Sequence, residues 1–489
     1  MDTKRLQSFL FSSFIIFMFF VYQIYNLQIR ETSLSSNTIA RQATQNYYFP
    51  SPRGDIYDRN GNILARTSKV PKLYLDTNLI LSEDDASRYL DFLSFFIDLN
   101  PELSNQEFLQ ENKILDLGIV DYEIFNSISL ASFDYPALLL VDFPYREYPY
   151  GSLASHILGY TGIPNQDDVN LFPVSEQHQI VGKNGVERYY EKILSGTPTS
   201  LNLTKTNKKD YSLGIKGQDI SLTIDVELQE IVESSLLSGI ELANKNKLEF
   251  FDTIQKGAVV VLHINSGEVY AMASAPTFDP NQFISGISDA QYSEIQKNQA
   301  FNNFAIQGLY PPGSVFKVVA YWLALSESIF PEGLNNKDSK VYCEGSLSFG
   351  FDDGSQQVYN DWKEDGHGIV DLNKAIQQSC NIYFYNLIQK IDFDLWSKEV
   401  ENFGFGNKLG VDLPSENKGL VPNKKFMDET YKNKGGWSKG HLLNLSIGQG
   451  ETMVTPMQII NLINIIANQG TFLTPHLNKE NDLIKEKNI

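Results

Sequence analysis

Pro311-Pro312-Gly313 constrains this 489-residue chain most tightly, because it interrupts whatever precedes it and sets the start of a helix at Ser314. From that start, Ser314 and Lys317 share one helix face. A serine hydroxyl is a weak nucleophile at neutral pH, so acyl transfer from it requires a base within reach and a positive field around the forming alkoxide. The first helical turn supplies the field through free backbone N–H groups and the macrodipole. A desolvated lysine with a lowered pKa supplies the base. Alone, a Ser-x-x-Lys pair is common by chance and reads first as an ordinary pair on a helix surface. A second helical stretch runs from about Leu372 to Ile388 and is interrupted near Ser379. Ser379 and Asn381 are two residues apart, so an extended turn there points both side chains the same way, one to relay a proton and one to hold a substrate amide.

With 42% hydrophobic and 20% charged residues the chain is globular and long enough for two or more cores. A net charge of -19 excludes nucleic acid as an expected partner and gives no attraction to anionic headgroups. Near the N-terminus, Lys4 and Arg5 precede a run from Phe9 to Tyr22 that is apolar except for Ser12 and Ser13. This reads as a single membrane anchor over residues 8–28, with 1–7 inside, the body outside, and Tyr22 and Tyr25 at the interface. A cleaved signal peptide is the alternative, but no small-x-small pair follows closely enough, so an uncleaved anchor is expected. From Arg30 to Tyr47 the chain is polar, in the manner of a juxtamembrane stalk or helix.

Asn60-Gly61 between two apolar stretches predicts a hairpin. From there to about Lys216, short strands and helices without catalytic groupings suggest a packing and spacing domain. A new unit opens at Gly217, with a strand expected over Asp219–Asp225, a helix over Leu228–Asn246, and a hairpin of Gly257–Ile264 with Glu268–Ser274 around Asn265-Ser266-Gly267. The order implies a mixed α+β fold, a sheet with helices packed on it. A further helix is expected over Thr455–Asn468, and the charged segment from Asn478 to Ile489 is expected to fray.

The two serine motifs in this order resemble those of class B penicillin-binding transpeptidases. Supporting segments are Arg53-Gly54-Asp55-Ile56-Tyr57-Asp58-Arg59-Asn60-Gly61, Arg146 through Tyr148-Pro149 to Gly159-Tyr160-Thr161-Gly162, and Gly182-Lys183-Asn184-Gly185-Val186-Glu187. Others are Asp361-Trp362 with His367-Gly368, Ser446-Ile447-Gly448-Gln449-Gly450 and Thr455-Pro456-Met457-Gln458. The resemblance runs from the anchor to about Leu477 and points to the elongation-type members of Gram-negative rods. It implies an elongated pedestal of the dimerisation type over 29–216. A serine beta-lactamase/transpeptidase-like domain, with helices around an antiparallel sheet, would follow over 217–489.

By that resemblance, Ser314 attacks the D-alanyl-D-alanine bond of a peptidoglycan stem peptide, releases D-alanine, and passes the acyl group to an amine on a neighbouring strand. Beta-lactams acylate the same hydroxyl. Lys317 is the base, Ser379 relays the proton and Asn381 positions the donor, while Cys380 stands where the family usually has Asp or Ala. No cofactor is needed for the chemistry. Implied partners are a SEDS-type glycosyltransferase and other elongation-complex proteins at the inner membrane, with the catalytic domain in the periplasm. The family's third motif, a Lys-[Ser/Thr]-Gly strand that supplies an oxyanion-hole N–H, does not occur in the sequence. Losing one such donor costs about 10² to 10³ in rate. The expectation is an incomplete record or a truncated domain with an open strand edge.

Cys343, Asp361, His367 and Cys380 make a second constellation, a tetrahedral zinc set by ligand type although the spacing fits no zinc-finger pattern. Some members of the resembled family hold a metal beside the active site with Asp, His and Cys at the positions of 361, 367 and 380 and a further Asp that Cys343 would replace. Such a metal would be structural, tying the loop after the Ser314 helix to the turn bearing Ser379. A Cys343–Cys380 disulfide and two unrelated buried thiols with a histidine cap are the alternatives. A non-catalytic scaffold or activator of a membrane glycan polymerase is the competing function. A serine beta-lactamase or carboxypeptidase fits poorly with such a pedestal.

Overall fold

The computed structural model describes residues 18, 20, 22, 44–480 and 486–488, apart from 81, 98–113, 132–133, 174–179, 205–208, 249, 285, 328, 331–338 and 352–353. Met18, Phe20 and Tyr22 are helical and exposed. Among the described residues no helix is long and apolar enough to cross a membrane, and the expected anchor over 8–28 lies otherwise outside them.

In the N-terminal half, the strand Ile63–Asp76 organises the larger sheet. It pairs with Ile56–Tyr57 across the expected turn at Asn60-Gly61, and with Leu138–Glu147 and Ile114–Ile119 along its length. The helices Glu83–Ser94 and Tyr122–Ala131 cover one face through Leu73, Leu75, Tyr89, Leu93 and Ile128. The end of the polar stretch expected to be a stalk is instead a strand, Thr44–Phe49, paired with Thr199–Thr204. Its partner lies far along the chain, beyond the reach of a local reading.

The expected strand over Asp219–Asp225 shrinks to Ile220–Ser221, which adds in parallel to Ile56–Tyr57 at the edge of the larger sheet. Its continuation is shortened because Asp225 serves as the N-cap of helix α1, Val226–Asn246, accepting from the Leu228 N–H at 3.1 Å. The expected hairpin follows as β1, Gly257–Leu262, and β2, Val269–Ala275. Its alternation is legible in the packing: Val259 and Val261 face α1, while Ala258, Val260 and Leu262 face a second cluster with Met457 and Ile460. Among the described residues β1 has no strand partner other than β2, and all six of its residues are half-buried.

A mainly helical lobe holds the largest core, in which Phe316, Val319, Leu323, Tyr383, Phe384, Leu387 and Trp396 are buried. Its relevant elements are α2, Lys317–Ser326; the hairpin β3, Ser346–Gly350, with β4, Gln356–Asn360; α3, Leu372–Gln377; α4, Asn381–Ile388; α5, Lys439–Ser446; and α6, Pro456–Ala467. The tail expected to fray is in part paired. Leu222 and Asn478 form a bridge, and Glu486–Asn488 pairs with Thr471–Leu473. Backbone hydrogen bonding takes no account of side-chain charge, which is the only signal the sequence offers there.

Candidate active site

Ser314 lies in a 3-10 turn, Gly313–Phe316, that runs directly into α2. The turn is held by backbone on both sides. Tyr310 and Val454 exchange two hydrogen bonds of 2.9 Å, and the Gly313 N–H donates to the Gly448 carbonyl at 2.8 Å. Gly448 has φ +69, and a Cβ built on it would lie 2.2 Å from the Gly313 carbonyl oxygen, so this close approach admits only glycine. The next segment is fixed by a capping box, in which the Gln458 N–H donates to Thr455 Oγ1 and the Thr455 N–H to Gln458 Oε1.

Ser314 is exposed, and its side chain has no hydrogen-bond partner among the described residues. It opens onto a cleft of about 520 Å³ shared with Trp362, Ser379, Asn381, Ile447 and Gln449. Behind it Lys317 is fully buried, anchored by its place at the start of a core helix. Its Nζ donates to the Ser379 carbonyl at 2.8 Å, to Ser379 Oγ at 3.0 Å and to Asn381 Oδ1 at 2.6 Å. Burial pushes the Lys317 pKa down to about 8, against the opposing pull of Asp361 and Cys380.

The extended turn expected at 379–381 is not what brings these groups together. Ser379 has φ +54, in the left-handed region, and the Cys380 N–H donates to the Ala375 carbonyl at 3.0 Å. This is a Schellman closure of α3, with Ser379 where glycine is usual. The backbone then restarts as α4 with Asn381 at its first position. The kink, rather than a pleat, turns both side chains onto Lys317.

The second constellation also assembles. Cys343, Asp361, His367 and Cys380 are all buried, with their donor atoms within 4.8 Å of one another. Cys343 Sγ is 3.6 Å from Asp361 Oδ2 and 3.7 Å from His367 Nδ1, and His367 Nδ1 is 3.6 Å from Asp361 Oδ1. Both thiols are free, so the disulfide alternative is not the state observed. Burial acts to raise the Asp361 pKa, but hydrogen bonds from the Lys363 and Ile382 N–H groups and from Cys380 hold it below the usual range. Burial pushes the Cys380 thiol up. Bonds of about 2.0–2.3 Å to a tetrahedral ion would set donors roughly 3.3–3.8 Å apart, and the three separations above fall in that range. Trp362 links the two constellations: its Nε1 donates to the Gln378 carbonyl at 3.1 Å, its ring meets the His367 ring edge-on at 5.4 Å, and it lines the Ser314 cleft. Sequence reasoning singles out neither Trp362 nor Ile447 and Gln449 as site residues; the signal they carry is their place in the Asp361-Trp362 and Ser446–Gly450 segments.

The family profile "Penicillin binding protein transpeptidase domain" matches residues 257–488, and "Penicillin-binding Protein dimerisation domain" matches 48–222. The chain is 31% identical to the peptidoglycan D,D-transpeptidase MrdA of Acinetobacter baumannii over 93% of its length, and 30% identical to the MrdA of Salmonella typhimurium over 95%. It spans 65% of the length of the first and 73% of the second. Among solved structures it is similar to penicillin-binding protein 2 of Helicobacter pylori in a complex with MreC. That match has a TM-score of 0.73 and 26% identity, covering 91% of this chain and 80% of the other.

Proposed function

We propose a reaction and a setting from one premise: the chain belongs to the class B penicillin-binding proteins, the family of the peptidoglycan D,D-transpeptidases. It is a serine transpeptidase that cross-links stem peptides during cell elongation. Neutral Lys317 accepts the Ser314 proton, directly or through Ser379 Oγ, as Ser314 Oγ attacks the carbonyl of the D-alanyl-D-alanine bond. The tetrahedral intermediate collapses by breaking the C–N bond, and the proton passes to the departing D-alanine nitrogen. The Ser314 ester is then attacked by an amine of a second stem, whose proton returns through Lys317 as Ser314 is released. Asn381 orients the donor amide. The observation that carries this reading is the buried Lys317 amine, held by Ser379 and Asn381 behind the exposed Ser314.

Fluorescent penicillin tests it. The chain should be tagged covalently, Ser314→Ala should not be, and Lys317→Ala should be tagged about 10² to 10⁴ times more slowly. Tagging at another residue, or tagging that survives Ser314→Ala, overturns the assignment.

Catalysis requires no cofactor on this reading. Cys343, Asp361, His367 and Cys380 hold a structural zinc, supported by their burial and spacing. When bound, the ion cross-links the strand ending at Cys343, the Asp361–His367 loop and the Cys380 turn. Elemental analysis should find one zinc per chain, with metal and several degrees of melting temperature lost in Cys343→Ala; zinc retained in that variant would refute the site.

Residues 8–28 anchor the chain in the inner membrane, with 1–7 cytoplasmic, a pedestal over 29–216, and the catalytic domain of 217–489 in the periplasm. The apolar run supports this, and membrane fractionation before and after deleting residues 1–28 checks it. An MreC-like protein and a SEDS-type glycosyltransferase are its partners, the former suggested by the Helicobacter pylori complex. Co-purification from membranes tests both.

A further inference from the structure

The chain's two cysteines, Cys343 and Cys380, meet in one pocket behind the active site. Both are free, at 1% and 0% exposure, and their sulfurs lie within 4.8 Å of each other. A disulfide has an S–S bond of about 2.05 Å, so closing the pair takes a movement of at most about 3 Å.

The two backbones differ in how freely they give. Cys343 ends the strand Val341–Cys343, which pairs with Gly368–Val370, and a Cβ on Gly366 would lie 2.1 Å from the Cys343 carbonyl oxygen, so the chain is wedged there. Cys380 sits in the turn between α3 and α4, held by its N–H to the Ala375 carbonyl at 3.0 Å and preceded by Ser379 in the left-handed region. Drawing the sulfurs together therefore moves the Cys380 turn. The residues on either side of it, Ser379 and Asn381, hold Lys317 Nζ through contacts of 2.8, 3.0 and 2.6 Å. A bond made behind the cleft thus reaches the catalytic lysine without anything entering the cleft.

We propose that Cys343 and Cys380 are an oxidation site for peroxide, closing to a disulfide that displaces Ser379 and Asn381 from Lys317 and slows acylation at Ser314. The slowing rests on the transpeptidase reading of Ser314. Burial of both sulfurs keeps bulky disulfide oxidants out and leaves hydrogen peroxide, which is small enough to enter. Cys343 Sγ attacks one peroxide oxygen and the O–O bond breaks. The Cys343 proton passes by way of His367 Nδ1, 3.7 Å from the sulfur, to the departing oxygen, which leaves as water. Cys380 Sγ then attacks the sulfur of the Cys343 sulfenic acid: the S–S bond forms, the S–O bond breaks, and the hydroxyl leaves with the Cys380 proton as a second water. The two sulfurs lose two electrons and the peroxide gains them. A metal held by both sulfurs uses the same lone pairs, so ion and disulfide exclude each other.

The test exposes the full chain, as purified and after chelation, to hydrogen peroxide and then blocks the remaining thiols with iodoacetamide under denaturing conditions. Mass spectrometry should find a Cys343–Cys380 cross-linked peptide and a chain lighter by two hydrogens. The cross-linked protein should take up fluorescent penicillin at least about tenfold more slowly, as expected when reacting groups are displaced, and dithiothreitol should restore the rate. Cys343→Asp keeps a metal-ligating side chain but cannot form the bond, so its acylation rate should survive the same treatment. Both cysteines still alkylated after peroxide, or a cross-linked protein tagged as fast as the reduced one, overturns the proposal. So does a Cys343→Asp chain that slows as the parent does; should that variant fail to fold, the parent's cross-link and its two rates still decide. A reduced parent that penicillin does not tag fails the reading of Ser314 and with it the slowing, whereas tagging without a cross-link fails the oxidation site alone.

Discussion

Lys317 has three ammonium donors and meets three acceptors, Ser379 O, Ser379 Oγ and Asn381 Oδ1, so a charged side chain is fully hydrogen-bonded where it sits. What opposes the charge is burial, which lowers the pKa from 10.5 to about 8. The sign follows directly. Between about pH 8 and 10.5 the unfolded chain binds this proton more tightly than the folded one, so the residue's contribution to stability grows with pH across that window and is lost as pH falls through 8. Only the neutral amine can act as base. Penicillin acylation should therefore rise with pH through a midpoint near 8, and Asn381→Asp, which sets a negative charge against Nζ, should move that midpoint upward. Stopped-flow acylation rates over about pH 6.5 to 9.5 provide the check; a flat profile would exclude Lys317 as the titrating base.

The nucleophile turn is placed less by its own helix than by the loop after α5, through the close passage of Gly448 against Gly313. Gly448→Ala sets a methyl 2.2 Å from a backbone oxygen that cannot yield without moving Ser314. Acylation should fall by more than about tenfold, the usual penalty for displacing reacting groups. Gly61→Ala is the contrast: φ is positive there too, at +90, but nothing lies within 4 Å, so it should cost only about 1–2 kcal/mol of backbone strain and leave acylation unchanged. Equal rates for Gly448→Ala and the parent protein would show that the passage does not position the serine. At this scale the sequence was informative where chemistry is local. The Asn60-Gly61 hairpin, the β1–β2 alternation and the break at Ser379 were all legible, and the eight residues singled out do gather into two adjoining clusters. The conformation at the break was not, since a serine in a left-handed C′ position lacks the glycine that normally announces it. The pairing of Thr44–Phe49 depends on a strand far along the chain and leaves no local trace.

At the scale of the whole molecule, a buried ionic hub ties together distant segments of the N-terminal half. Glu187, fully buried, receives Arg53 Nε at 3.0 Å and Arg146 Nε at 2.6 Å, while Glu191 receives Arg53 and the Gly182 N–H, both at 2.8 Å. Burial acts to raise the Glu187 pKa, but the two guanidiniums hold it below the usual range. Arg146 also donates to the Gly54 carbonyl at 2.8 Å, and a Cβ on Gly54 would lie 1.8 Å from the Gln218 carbonyl, beside the Ile220–Ser221 strand of the same sheet. The contact with the residues of the transpeptidase profile is made by Tyr190, whose hydroxyl donates to Asp412 at 2.6 Å, and Asp412 accepts from the Leu477 and Asn478 N–H groups at 2.6 and 2.8 Å. Residues far apart in sequence that resembled pedestal motifs are thus one electrostatic unit. Glu187→Gln keeps the shape and removes the charge, leaving two buried guanidiniums with Glu191 as the one carboxylate in the hub; breaking a buried pair in this way costs about 3–5 kcal/mol. The exposed Arg66–Glu147 pair, at 2.8 Å, is the control, since Arg66→Ala should leave the melt close to that of the parent protein. Thermal melts of both variants beside the parent protein decide the matter: a Glu187→Gln melt as mild as that of Arg66→Ala would mean the hub does not hold the N-terminal half together.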